Sequence, residues 1–169
     1  MSSFELVIYD SLGKKCTLYS VRWQDSELNE TDKFFLRLQE NEKLNKPLTD
    51  LALLLEYISE EKGALEDFFR FENQAQALPS NRALSEIEVK TRNFPLRLYC
   101  LKLTDNLLIL FGGGEKTANT AQEGKTSMAF HEANLFAKRI LKSLQDKDIY
   151  ITTDERELRY FNGDIEIYL

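Results

Sequence analysis

The sequence predicts an α+β fold in which a small antiparallel sheet carries helices packed on one face. Segments rich in β-branched and aromatic residues are separated by segments with a helical period, and a strong strand pair lies near the middle of the chain, at Leu96–Leu103 and Leu107–Phe111. A chain of 169 residues, 43% hydrophobic and 30% charged, is long enough to bury a core. We therefore expect one domain over residues 1–169.

The N-terminal residues 1–25 are predicted to form a β-hairpin. Phe4–Tyr9 and Cys16–Trp23 have the composition of strands, and the segment between them, Asp10–Lys15, contains turn-forming residues. This hairpin is expected as an addition to the core of the fold.

Helices are predicted over residues 29–70. Asn29 is a good N-cap for a first helix that runs to about Leu44, because its side chain can accept a hydrogen bond from the first turn. Leucines at helical spacing predict a second helix, with Pro47 in its first turn. The following segments are predicted as the second helix at Leu48–Lys62, a stop at Gly63, a short helical piece at Ala64–Arg70 and a loop at Phe71–Arg82.

The central strands are predicted within residues 94–117. Alternation along the first strand places Arg97 and Tyr99 on one face. The apolar run Leu107–Phe111 is typical of a strand covered on both sides, and we expect it to end in a turn at Gly112–Gly114.

The last third of the chain is predicted to form a helix and then strands. A stripe of apolar residues predicts the helix over 126–145. Over residues 149–169 we expect a strand at Ile149–Thr153 and then a terminal hairpin of Glu157–Phe161 with Asp164–Tyr168, since the Asn-Gly dipeptide between these two segments suits a tight turn.

Composition restricts the function classes. The chain has no apolar run long enough to span a membrane and no secretory signal at its N-terminus, so we expect a cytoplasmic protein. Its two cysteines, Cys16 and Cys100, are predicted to be small buried residues. The net charge of −6 argues against loose nucleic-acid binding, but residues 81–147 hold 11 Lys/Arg and 7 Asp/Glu. A local anionic partner is therefore compatible with the sequence.

Three side chains near the central strands could act on a phosphodiester without a metal. Arg97 and Lys116 could stabilise developing charge on phosphate, and Tyr99 could position or deprotonate a ribose hydroxyl. The alternative is that Arg97 pairs with a carboxylate and Tyr99 packs against a helix. The glycine run likewise fits either a phosphate-binding loop or a strand end that needs close backbone approach.

Other motifs of chemical interest are weak. His131 is the only histidine, and it falls on the outer face of its helix, so neither a multi-histidine metal site nor a catalytic triad is expected. Adjacent acidic residues indicate solvated surface. We expect no cofactor and no metal.

The central strands resemble those of RelE/HigB-like toxins, the toxin halves of bacterial toxin–antitoxin pairs. The resemblance lies in Phe94–Leu103, with its strand arginine, then Asp105–Phe111, a glycine turn and Lys116-Thr117, and it extends over about residues 90–145. It implies a compact α+β domain, messenger-RNA cleavage, often on the ribosome, and neutralisation by a partner antitoxin. By position, Arg97 would be the strand arginine and Lys116 the lysine that ends the next strand.

Two hypotheses for function follow from these residues. The first is a metal-independent mRNA endoribonuclease that uses Arg97, Lys116 and Tyr99, with RNA contacts at Lys90, Arg92 and Lys102. The second is a non-enzymatic protein-interaction module on the same scaffold, which would bind its partner through a sheet edge or the first hairpin. A weaker third option is a protein derived from a phage or mobile element.

Overall fold

The protein is described here by a computed structural model that covers residues 2–91, 93–116, 127–163 and 166–169. Its described strands, in chain order, are β1 Ser3–Leu12, β2 Thr17–Trp23, β3 Arg70–Phe71, β4 Gln76–Leu78, β5 Leu96–Thr104, β6 Leu107–Glu115, β7 Ile149–Ile151, β8 Leu158–Tyr160 and β9 Ile167–Tyr168. Its described α-helices are α1 Glu30–Leu38, α2 Asn45–Tyr57, α3 Asn81–Glu86 and α4 Ser127–Gln145. Short 3-10 turns cover Glu42–Leu44 and Glu66–Phe68, and a π-helical turn covers Ile58–Lys62.

Seven of these strands form one mixed sheet in the order β3-β4-β5-β6-β2-β1-β9. Neighbouring strands are antiparallel except β2 and β6, which are parallel. β7 and β8 pair separately. The α+β class predicted from the sequence is confirmed, although the sheet is larger than expected and is not wholly antiparallel.

Helices cover both faces of this sheet, so the prediction that they pack on one face is wrong. Alternate residues of the central strands belong to two different cores. Leu98 and Leu110 pack with α1 and α2, whereas Tyr99 and Phe111 pack with α4. We call these the α2 face and the α4 face. The alternation confirms that β6 is a strand covered on both sides.

The N-terminal hairpin and the helix signals are confirmed. β1 and β2 pair in antiparallel register. The Asn29 side chain accepts a hydrogen bond from the backbone N–H of Asp32 at 2.8 Å, as an N-cap does. Gly63 ends the π-helical turn with φ of 86°, a conformation that favours glycine. α1 is shorter than predicted and ends at Leu38.

The short helical piece predicted at Ala64–Arg70 is confirmed in part by the 3-10 turn at Glu66–Phe68, but the segment predicted as a loop contains strands. Arg70 lies in β3, and β4 pairs with the central strand β5. Ala75, Ala77 and Leu78 are buried, because small and apolar residues here complete the sheet on both faces. The composition of this segment, rich in Gln, Asn and Ala, hides this role since short strands carry little periodicity.

The predicted C-terminal hairpin is also wrong. β8 pairs with β7, whereas β9 pairs with β1 at the far edge of the sheet. The phenol of Tyr160 accepts a hydrogen bond from Leu6 N, and Ile167 is buried in the α4-face core. Contacts with distant parts of the chain therefore outweigh the local turn signal. Residues 164 and 165 of the predicted hairpin lie outside the described residues.

Both cysteines are fully buried free thiols, as predicted. Burial raises the pKa of the Cys16 thiol to about 12 and that of Cys100 well above its ordinary value. Within the described ranges, none of the helices has the length and apolar character needed to cross a bilayer.

Candidate anion-binding site

Arg97 lies on the α4 face near the start of β5 and is only 4% exposed. Its Nη1 donates hydrogen bonds to the carbonyl oxygens of Leu96 at 2.9 Å and Phe94 at 3.4 Å. In the part of the chain that the structure describes, no carboxylate forms an ion pair with it. The alternative that Arg97 simply pairs with a carboxylate is therefore not seen among these residues.

A β-bulge in β6 brings Lys116 to the same face as Arg97. Leu98 pairs with Gly113 and Cys100 pairs with Leu110, so two residues of β6 stand opposite the single residue between them on β5. Beyond the bulge Arg97 pairs with Gly114, and the Lys116 N–H donates to the Pro95 carbonyl at 2.6 Å. Without the extra residue, Lys116 would face the α2 core. With it, Lys116 becomes a diagonal neighbour of Arg97.

Arg70 completes a group of three cations, which we call the basic cluster: Arg70, Arg97 and Lys116. Arg70 pairs with Ala77, whose side chain belongs to the α4-face core, so Arg70 also lies on that face. Burial lowers the pKa of Arg97, and the charge of Arg70 lowers it further. Burial, Arg97 and Arg70 together lower the pKa of Lys116, while Glu72 acts in the opposite direction.

The basic cluster is an arrangement that favours an anion. Arg97 is buried near two other cations and has no ion-pair partner among the described residues, and this raises the free energy of the empty site. A phosphate would relieve this repulsion, and the planar guanidinium of an arginine can form two parallel hydrogen bonds to it. Sequence reasoning missed Arg70, because a two-residue strand leaves no pattern. Its position could have been found only by recognising that β4 adds to β5.

The triple glycine is part of β6, so the prediction that the strand ends before it is wrong. A Cβ on Gly113 would overlap the carbonyl oxygen of Arg97 and lie 3.0 Å from the Cα of Leu98. Glycine is thus required by the close approach of β5 after the bulge. This observation favours the structural explanation of the glycines over a phosphate-binding loop.

Helix α1 replaces β2 as the neighbour of β6 along this glycine segment. Pairing between β2 and β6 is last seen at Ser20 and Leu110. Beyond it, the Thr31 hydroxyl donates to Phe111 O at 2.8 Å and the Arg37 guanidinium donates to Gly113 O at 2.6 Å. These side chains satisfy carbonyl groups that would otherwise be an open strand edge.

Tyr99 is fully buried, which bears on the two roles predicted for it, action on a ribose hydroxyl or packing against a helix. It shares the α4 face with Arg97, as strand alternation predicted, but its ring packs edge-on against Phe130 of α4 with centroids 5.7 Å apart. A phenol in this position cannot reach a ribose hydroxyl without displacing α4. The predicted alternative, that Tyr99 packs against a helix, describes its environment.

Two of the three predicted RNA contacts, Lys90 and Lys102, do not join the basic cluster. Lys102 lies near the other end of β5, ~17 Å away for five residues of strand, and its Nζ is 2.8 Å from Asp105 Oδ1. Lys90 is exposed after α3, where it lines a separate cleft with Ser85. Arg92 lies outside the described residues.

Two further features of the α4 side bear on chemistry. His131 is exposed, as predicted, and its ring packs edge-on against Phe130 with the ring centroids 5.6 Å apart. Glu132 of α4 lies against Glu30, the first residue of α1. The pKa of Glu132 is raised to about 7, because its carboxyl is desolvated and is hydrogen-bonded to Glu30. Lys33 lies 2.9 Å from Glu30 and partly offsets this effect.

Comparisons with protein-family models, with curated proteins and with solved structures find no match for this chain. The resemblance to RelE/HigB-like toxins therefore stays a prediction from the sequence.

Proposed function

We propose that this chain is a RelE/HigB-like toxin-type protein that binds the phosphate backbone of RNA through the basic cluster. The observation that supports this is the convergence of three cations on one face of the sheet, without an ion-pair partner in the described parts of the chain. Phosphate contacts by arginine and lysine supply most of the affinity of RNA and DNA binding. In this proposal the protein acts in the cytoplasm and a partner antitoxin covers the cluster.

The proposed reaction is metal-independent cleavage of messenger RNA. Arg97 and Lys116 would bind the scissile phosphate and stabilise the negative charge that develops on it, and Arg70 would bind the same or an adjacent phosphate. Tyr99 is assigned a supporting role instead of proton transfer, because its ring is enclosed between β5 and α4. It would hold the strand that carries Arg97.

The proposal is tested by expressing the chain alone in bacteria. We expect growth arrest, and we expect Arg97→Ala with Lys116→Ala to abolish it. Because Arg97 is buried, a second variant, Arg70→Gln with Lys116→Gln, removes charge from less buried positions of the cluster. Both should weaken binding of a fluorescent single-stranded RNA by at least about tenfold and reduce its dependence on salt.

A matched control changes the same charge elsewhere. Lys142→Gln with Arg159→Gln removes two exposed cations that already pair with Asp146 and Glu157. This variant should bind RNA and arrest growth like the wild type. Equal loss in the control and the cluster variants, or folded wild-type protein that neither binds RNA nor affects growth, would refute the proposal.

The second candidate is a protein-interaction module on the same scaffold. The observation that favours it is the burial of Arg97 and Tyr99, which restricts access to the chemistry, together with an exposed aromatic side chain on the edge strand β3, where Phe71 is 56% exposed. An edge strand can pair with a strand of another protein. Normal growth, no RNA binding and loss of a partner complex in Phe71→Ser would support this candidate over the first.

A further inference from the structure

A cavity of about 630 Å³ opens on the α2 face, on the opposite side of the sheet from the basic cluster. It lies between strands β1 and β2, the start of α1, and the end of α2 with the π-helical turn that follows. Its volume is in the range of sites that hold small molecules. Its lining residues are Tyr9, Asp10, Leu18, Asn29, Asp32, Phe35, Ala52, Leu55, Glu56, Ser59 and Glu60.

The base of this cavity is apolar and aromatic. Leu18 and Leu55 are buried members of the α2-face core, and the rings of Tyr9 and Phe35 pack against the same core while remaining partly accessible. Such a surface favours a ligand with an apolar body, since covering it removes apolar area from water. The two aromatic rings can also interact with a cation through their faces.

The polar groups of the cavity have one sign of charge. Four of its lining residues are carboxylates and none is Lys or Arg. The carboxylates are Asp10, Asp32, Glu56 and Glu60. Across the described ranges none of these four forms an ion pair, although Asp32 accepts a hydrogen bond from the Asn29 amide.

Two of these carboxylates converge on the aromatic base. The pKa of Tyr9 is raised to about 12, first by burial and then by the charges of Asp32 and Asp10. The negative groups therefore act on the interior of the cavity and not only on its rim. A bulge in β1, with Asp10 at φ of 73°, contributes to this placement.

We propose that this cavity binds a small organic cation, specifically a primary ammonium ion attached to an aromatic or aliphatic body. The ammonium would lie among the carboxylates, which form no ion pair among the described residues, and the body would cover the apolar base. An anion is excluded by charge repulsion, and a neutral ligand would leave the carboxylates unpaired. A bare metal ion fits poorly, because an apolar base supplies no oxygen ligands and no described group of acidic, His or Cys side chains could hold one.

This binding does not depend on the proposed RNA contact. The cavity belongs to the α2-face core, whereas the basic cluster lies on the α4 face. Adding an amine that binds the cavity should not change the affinity for RNA. We expect this both in the wild type and in the double variant Arg70→Gln, Lys116→Gln. Failure of one proposal thus leaves the other standing.

The test compares 2-phenylethylammonium with 2-phenylethanol, which has a similar shape but no charge, by titration of the full chain followed by NMR. We expect the ammonium ion to bind at least about tenfold more tightly than the alcohol and to shift signals of Tyr9 and Leu55. The variant Asp10→Asn with Glu60→Gln should weaken ammonium binding at least about tenfold. Asparagine tolerates the left-handed backbone of residue 10.

The control variant, Asp25→Asn with Glu61→Gln, changes the net charge equally at two exposed positions outside the cavity. It should bind the ammonium ion within about twofold of the wild type. Equal binding of alcohol and ammonium, no binding of either up to about 10 mM, or equal loss in both variants would each overturn the proposal. The wild-type comparison decides the matter even if a variant does not fold.

Discussion

The basic cluster and the cavity lined by four carboxylates, which we call the acidic cavity, are two charged regions of the described structure, and they differ in how they are built. The cations of the cluster extend from strands β3 and β5 and from the end of β6, and Arg97 is nearly buried. The carboxylates of the cavity come from a strand bulge and from helical segments, and Asp10 and Glu56 are exposed. The buried charge of Arg97 is therefore held at a cost in stability, whereas the charges of Asp10 and Glu56 are solvated.

This difference explains why the net charge of −6 says little about binding. The two regions lie on opposite faces of one sheet, and exposed charges farther apart than a Debye length of about 8 Å are largely screened from each other. Each face then presents its own sign to a ligand. Substitutions that disturb the backbone should change stability and RNA binding at the cluster most. Substitutions that remove a single charge should change the titration of groups in the cavity most.

The largest effect is expected from Gly113→Ala. Its Cβ would overlap the main chain of Arg97, and main chain cannot move aside as a flexible side chain does. We expect a loss of about 3 kcal/mol in the free energy of unfolding, measured by denaturant titration, together with loss of RNA binding.

Gly112→Ala is the matched control, because the nearest atom to its Cβ is the Glu30 carbonyl oxygen at 3.8 Å. It should change stability by no more than about 0.5 kcal/mol. Equal destabilisation by the two substitutions would contradict the bulge as the element that positions Arg97 and Lys116.

A smaller effect is expected when phosphate is added to the folded protein. Binding at tenfold its dissociation constant stabilises by about 1.4 kcal/mol, which corresponds to a rise in Tm of about 3–6 °C for a chain of this size. Phosphate also stabilises proteins without a site, so the comparison is with Arg70→Gln, Lys116→Gln. An equal rise in Tm for this variant and the wild type would show that the cluster holds no phosphate.

The sequence predicts the proximity of Arg97 and Lys116 through strand pairing, but not the geometry that produces it. Lys116 reaches the correct face only because one extra residue is inserted in β6, and a bulge has no periodic signal. Arg70 was missed because β3 has two residues and is ordered by its neighbour β4. Tyr99 was predicted on the correct face, but its burial depends on α4, which packs from a distant part of the chain.

The cavity could not be predicted from its residues, because they are spread from Tyr9 to Glu60 over two strands, two helices and a π-helical turn. The hairpin and the helices themselves were predicted, since hydrophobic period and capping are local signals. What was missing was the packing of those helices on the face opposite α4. Element type was therefore more predictable than the side of the sheet on which each element packs.

A smaller effect, on the pH dependence of the free energy of unfolding, is expected from Glu132, the acidic residue of α4 beside the glycine segment. Its pKa of about 7 in the folded protein exceeds its ordinary value of 4.5, because burial and the hydrogen bond to Glu30 disfavour the charged form. Because this pKa is raised on folding, the contribution of Glu132 to stability is fully present below pH 4.5 and is lost as the pH rises through 7. The residue is exposed overall, so solvent screening reduces the loss to less than about 1 kcal/mol.

Glu132→Gln should remove this contribution, so the free energy of unfolding should fall less between pH 4.5 and 7 in the variant than in the wild type. Denaturant titrations at several pH values measure it, with exposed Glu40→Gln as the control. An equal fall in Glu132→Gln and in the wild type would assign the pH dependence to groups other than Glu132.

The smallest expected effect concerns the titration of Tyr9 in the acidic cavity. Its pKa of about 12 lies above the ordinary 10, so its contribution to stability is present below pH 10 and is lost as the pH rises toward 12. Asp10→Asn removes one of the two charges that raise this pKa, and it should shift the Tyr9 titration downward while burial and Asp32 keep it above 10. Ultraviolet difference absorbance against Tyr9→Phe isolates this phenol from the other six tyrosines.

Asp25→Asn, which changes the same charge outside the cavity, should leave the titration of Tyr9 unchanged. If both aspartate variants shift it equally, the field at Tyr9 comes from the net charge of the protein, and the carboxylates do not converge on the interior of the cavity as the ammonium proposal requires.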